Sequence, residues 1–283
     1  MNIFLLLTIA MLMIILMLRR HIPIGPCMLT SGIFIWLMKA PELPYLVQAL
    51  RETLTMPRTY DILFALYFVM CLEIELRTSG ALAGMVQALQ RIFSSAKVTL
   101  AVMPAFLGLL PSLGGARFSA PIVEEASKNI PIEQDHKAAI NFWFRHIFEF
   151  SSPIIPGMIM ACNIAGVSYG EFILHLAWLT VLAFAAGWFV LIRPIKGENS
   201  RTETISNDSQ GTQDLWLALS PVIITFILVV FCGFNASAGM GLVTACLFLV
   251  LRFTKREVGL KDVVIGALDI KMFLNVLCIL YFI

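Results

Sequence analysis

The chain has 283 residues, 59% of them hydrophobic and only 13% charged, with a formal net charge of +2. Its apolar residues fall in long uncharged blocks, which excludes a soluble helical domain, because a water-facing helix must carry polar groups along one side. No basic cluster is interleaved with aromatics, which excludes a nucleic-acid partner. What remains is an all-α polytopic membrane protein.

The opening stretch MNIFLLLTIAMLMIILMLRRH has no positive charge ahead of its apolar run and places Arg19 and Arg20 after it. It therefore reads as a retained first span, Ile3 to Leu18, with the N-terminus outside, and not as a cleaved secretory signal. A second span, Ile22 to Met38, follows as a hairpin partner. The segment from Lys39 to Tyr60 is too polar to cross and reads as interfacial. A third span runs from Ile62 to Leu76, and SGALAGMVQALQRIFSSAK has the amphipathic pattern of a surface helix.

Next comes the apolar run Val98 to Leu110, then LPSLGGARFSAP, then the charged stretch VEEASKNIPIEQDHK. That run is too short to span and returns to polar sequence, so a re-entrant hairpin at about 98–121 satisfies its length. The fourth crossing is Ala138 to Ile164 and the fifth Phe172 to Ile192. Two more spans, Leu215 to Cys232 and Ala236 to Leu251, precede a basic connection and a final apolar run. Clusters of Arg and Lys assign the loop 193–214 to the cytoplasm. The six cysteines lie in apolar surroundings without CxxC spacing and read as buried packing residues.

A shift of 214 residues lays Gly25 on Gly239, Thr30 on Thr244, Phe34 on Phe248 and Leu37 on Leu251, then Leu63 on Leu277, Tyr67 on Tyr281 and Phe68 on Phe282. Residues 1–195 accordingly read as a first repeat of five spans plus the hairpin, 196–213 as a cytoplasmic linker, and 214–283 as the start of a second copy. The odd number of crossings inverts that copy, the architecture of many secondary transporters. Its hairpin would fall beyond Ile283, so the second repeat reads as truncated.

Two groups of residues carry candidate chemistry. In the hairpin, Gly114 and Gly115 permit close backbone approach, Ser112 and Ser119 supply hydroxyls, a half-helix beginning near Ser119 would aim its dipole at an anion, and Arg117 offers a bidentate contact. In the fourth crossing, Asn141, Arg145, Glu149 and Ser152 are spaced four, four and three, as on one helical face, with His146 beside them. Arg145 and Glu149 then form the expected ion pair, and SSPIIPG is expected to break the helix. Glu73 is a further candidate for proton coupling.

The string LPSLGGARFSAPIVEEA, with a short apolar run before it and a proline-broken span after it, resembles the prokaryotic family known as domain of unknown function 401, grouped with the ion transporter superfamily of gluconate, citrate and arsenite carriers. The resemblance implies an inner-membrane protein with two inverted repeats and substrate bound at hairpin tips, here Ser112, Gly114, Gly115, Arg117 and Ser119. The hairpin lacks the Ser-Asn-Thr type signature of dicarboxylate carriers, so neither sodium coupling nor a dicarboxylate substrate follows.

The function expected is secondary active transport of a small anionic solute by alternating access, coupled to Na+ or H+, without a cofactor or a metal site. The partners expected are the solute, the bilayer and, as one arrangement, a second copy in a homodimer. A channel and a non-transporting scaffold are the alternatives. No HExxH or GxxxxGK[ST] string is present to indicate a metal-dependent intramembrane protease or a nucleotide-driven pump.

Overall fold

Apolar blocks without side-chain polarity can enter lipid only if every backbone group bonds internally, and helices meet that condition. The computed structural model describes residues 3–39, 41–93, 95–109, 115–128, 130–152, 154–195 and 209–282, and among these the regular structure is helical throughout. In chain order the helices are α1 (Ile3–Arg19), α2 (Ile24–Lys39), α3 (Leu43–Thr55), α4 (Pro57–Thr78), α5 (Ala81–Ile92), α6 (Ala96–Leu109), α7 (Gly115–Ala126), α8 (Gln134–Arg145), α9 (Pro156–Ala165), α10 (Tyr169–Gly187), α11 (Ser209–Phe226), α12 (Ala236–Phe253), α13 (Leu260–Gly266) and α14 (Ile270–Phe282).

Among the described residues, four helical stretches are long and apolar enough to cross a bilayer: Tyr169–Ile192, Gln213–Phe231, Ala236–Phe253 and Leu260–Phe282. Their outward faces carry bare hydrocarbon, with Leu174 81% and Phe253 83% exposed. Such side chains are at home in lipid and costly in water, so the protein is an all-α membrane protein. The first and second of these stretches each end in a π turn, Trp188–Ile192 and Ile227–Phe231. Helix α10 is started by Ser168, whose hydroxyl accepts from the Glu171 amide at 3.2 Å.

The chain forms two compact units. The first comprises Met1–Phe64 with Leu268–Ile283. Within it α2 packs on α1 and α14, and α3 packs on α14. The Gly25 amide donates to Asn275 Oδ1 at 3.1 Å and the Tyr281 hydroxyl to the Leu46 carbonyl at 3.1 Å.

The second unit, Ala65–Ala267, holds most of the buried polar groups. Helices α6, α7 and α8 pack on one another around Leu100, Ala105, Val123, Ile140 and Phe144. Helix α6 has 14 residues and α7 has 12, about 21 and 18 Å at 1.5 Å per residue, each short of a hydrocarbon core of about 30 Å.

Several expectations need correction. The third span, read as Ile62 to Leu76, is a longer helix, α4, that begins at Pro57 and ends at Thr78. Helix α5 does not lie free along the surface; it buries Ala81, Met85, Ala88 and Leu89, and packs closely on α11. Of the cysteines, Cys27, Cys71 and Cys162 are buried, whereas Cys232 and Cys246 are exposed. Cys246 lies on the outward face of α12 and Cys232 just past the π turn Ile227–Phe231, where a thiol behaves as a small hydrophobe.

Candidate functional site

The second unit contains a cleft of about 450 Å³ between α7 and α8, lined by Ala120, Val123 and Glu124 from one side and Gln134, Lys137, Ala138, Asn141 and Phe142 from the other. Its size suits a small solute. Helix α8 is positioned from behind: His136 Nε2 lies 2.7 Å from the Leu191 carbonyl, and Trp143 Nε1 donates to the Ala183 carbonyl at 2.8 Å. Asp135 in its first turn and Arg145 in its last complement the helix dipole.

Lys137, Asn141 and Arg145 follow one another at intervals of four and so share a face of α8. Lys137 Nζ donates to Glu124 Oε1 at 2.8 Å, and the two side chains are 12% and 55% exposed. The cation is therefore held in the cleft wall while its acid reaches water. That hydrogen bond, its largest influence, holds the Glu124 carboxyl below the ordinary carboxylate range. Asn141 is buried deeper, and Arg145, one turn further, is 9% exposed and stands in the field of the buried Glu73 of α4.

Helix α8 stops at Arg145, and a 3-10 turn, Ile147–Phe150, follows. The stripe expected to run from Asn141 to Ser152 is therefore interrupted, because a 3-10 turn advances side chains by a different angle from an α-helix. Glu149 does not pair with Arg145; it meets His146, Nδ1 to Oε1 at 2.5 Å. Ser152 is buried beyond the turn, and among the described residues its hydroxyl finds no hydrogen bond. Asn163 is engaged structurally, donating to the Ile159 carbonyl at 2.9 Å and the Tyr169 hydroxyl at 2.7 Å.

The hairpin residues are placed in part. Ser112 and Gly114 lie outside the described residues, and for Gly115 and Arg117 the backbone alone is described, in the first turn of α7. Helix α7 starts at Gly115, so Ser119 is not at the helix N-terminus as expected; it lies one turn inside and is fully buried. Behind this pair, Gly108 of α6 backs directly onto the Arg145 carbonyl. Among the described residues no three His, Cys, Asp or Glu side chains gather as a metal site.

Sequence reasoning passed over Lys137. Its signal was available in the spacing of four to Asn141, but the neighbouring charges of VEEASKNIPIEQDHK made the segment read as a loop.

Against family models, residues 2–280 match the one described as "Protein of unknown function (DUF401)". The chain belongs to the DUF401 family. A comparison with curated proteins finds no match. In this DUF401 chain the string that first carried the resemblance supplies α7, one wall of the cleft.

Proposed function

We propose that this DUF401 protein is a secondary carrier for a small anionic solute, working by alternating access and coupled to Na+ or H+, and that the α7–α8 cleft is where the solute binds. The observation that carries the reading is the pairing of a half-buried cation, Lys137, with the buried amide of Asn141 along one wall of a solute-sized cleft, with the buried Arg145 one turn beyond on the same helix face. Glu124 is exposed enough to move into water at little cost, as surface carboxylates do. An entering carboxylate or oxyanion then takes its place on Lys137, and Asn141 orients it.

The repeat supports a carrier architecture. Under the 214-residue shift α2 falls on residues 238–253, where α12 occupies Ala236–Phe253, and the start of α4 falls on residue 271, where α14 begins at Ile270. Phe68 and Phe282, equivalent by the shift, each pack on a glycine of the other copy's second helix: a Cβ at Gly241 or at Gly32 would come within 2.9 Å of the ring. We read α6 and α7 as the re-entrant hairpin of the first copy. We place the protein in a prokaryotic inner membrane with its N-terminus outside and the loop 193–214 in the cytoplasm.

The test is thermal unfolding of the purified chain in detergent with acetate, citrate, gluconate, phosphate or sulfate, and with sodium and choline chlorides as controls. One of these anions is expected to raise the melting temperature saturably, a stabilisation of about 2.7 kcal/mol at a hundredfold excess over Kd. Lys137→Ala and Asn141→Leu are expected to abolish that response. If no anion stabilises the parent, or both variants respond as it does, the cleft is not an anion site.

The same pair predicts a pH dependence. Because the Glu124 carboxyl is held low by Lys137, the pair is intact at neutral pH and is lost as pH falls through that lowered value. Lys137 is then unopposed, so the affinity for sulfate, which stays ionised, is expected to rise in acid, and Glu124→Gln is expected to bind at neutral pH as the parent does in acid. An affinity independent of pH in the parent contradicts the exchange.

A further inference from the structure

The two acids of α4, two residues apart, meet opposite surroundings. Glu73 has Arg145 as its electrostatic partner. Glu75 is 1% exposed, and its Oε2 finds no hydrogen bond among the described residues. A carboxylate left so inside a membrane helix costs several kcal/mol, a cost that disappears when the group takes up a proton.

Glu75 also stands in a file of groups able to exchange protons. Tyr67, Cys71, Glu75 and Ser79 follow at intervals of four along one face of α4. The Tyr67 hydroxyl donates to the Val264 carbonyl at 3.2 Å, and Cys71, one turn further along α4, lies within the field of Glu75. In the other direction Glu75 is one turn, about 6 Å, from the end of the helix, where Arg77, Thr78 and Gly80 are exposed. There the Ser79 carbonyl accepts from Arg256, which in turn pairs with Asp214 of α11. The titratable and charged groups around this end of α4 are thus Tyr67, Cys71, Glu73 and Arg77 on the helix itself, Arg145 from α8, Asp214 from α11 and Arg256 from the segment after α12. None of them hydrogen-bonds Oε2.

We propose that Glu75 is a proton-binding site, loaded through the exposed α4 end beside Ser79. Arg145 faces Glu73 as an opposite charge, and Glu75 carries its proton as a neutral acid. That this proton is the coupling ion rests on the carrier reading; that it is bound does not.

Infrared spectra of the full chain in phosphatidylethanolamine and phosphatidylglycerol vesicles test the site. At pH 7 the parent is expected to show the carbonyl stretch of a neutral carboxylic acid, shifted by carbon-13 labelling of glutamate and lost on strong alkalinisation. Glu75→Gln is expected to lose the band and keep the parent's melting temperature, since an amide resembles a neutral acid. Glu124→Gln, an exposed acid, is expected to retain it. Should Glu75→Gln fail to fold, Glu75→Asp decides, because it must move the band out of the labelled-glutamate position. A parent without the band at pH 7, or a band that persists in Glu75→Gln or is unmoved in Glu75→Asp, overturns the assignment. Anion binding is read separately by thermal shift, so the failure of one does not mimic the failure of the other.

Discussion

Replacing Arg145 by alanine is expected to destabilise the protein by up to about 3 kcal/mol, because it takes a buried cation out of the field of the buried Glu73. Both groups are nearly sealed, at 9% and 6% exposure, so solvent screening offers little relief. The alternative explanation is lost packing by the long Arg145 side chain, and a double-mutant cycle separates the two. If charge compensation dominates, Glu73→Gln with Arg145→Met should be markedly more stable than Arg145→Met alone. Reversible unfolding in mixed micelles supplies the four free energies. Additive losses would show that Glu73 is not the partner.

Gly108→Val is the second large effect expected. Gly108 touches the Arg145 carbonyl so closely that a side-chain carbon there overlaps backbone, which cannot swing aside as a flexible side chain would. Overpacking in a well-filled interior costs about 1–3 kcal/mol, and here it also separates α6 from the end of α8 and displaces Arg145. Loss of both stability and anion response is therefore expected, with Gly108→Ala intermediate. Gly157→Ala is the control: an added carbon there meets no atom within 4 Å, so its melting temperature should match or slightly exceed the parent's. Unchanged melting of Gly108→Val would mean that the two helices are not held at backbone contact.

Helix positions were largely legible because uncharged blocks have few alternatives to a helix. The span read as Ile22 to Met38 became Ile24–Lys39, and the span read as Ala236 to Leu251 became Ala236–Phe253. Polar relationships were less legible. A spacing of four between Arg145 and Glu149 marks neighbours only if the helix continues, and here it gives way to a 3-10 turn. The partner acting on Arg145, Glu73, lies on a different helix, and no local pattern points across that separation. Lys137 was hidden by charge density, which signals a loop and a cleft wall alike. The amphipathic pattern of α5 was read correctly as one-sided, but a one-sided helix fits a neighbouring helix such as α11 as well as it fits a membrane surface.

The first compact unit joins segments far apart in the sequence, and this bears on how the protein is made. The Gly25 amide and its partner Asn275 are 250 residues apart. At synthesis rates of about 5–20 residues per second, α2 waits about 12–50 s for the helix it packs against. During that interval the face of α2 around Gly25 and Gly32 has not yet met its partner helix. The second unit, whose α6, α7 and α8 are neighbours in sequence, can assemble as it emerges. The α6–α8 assembly is therefore expected to form before α2 and α14 come together.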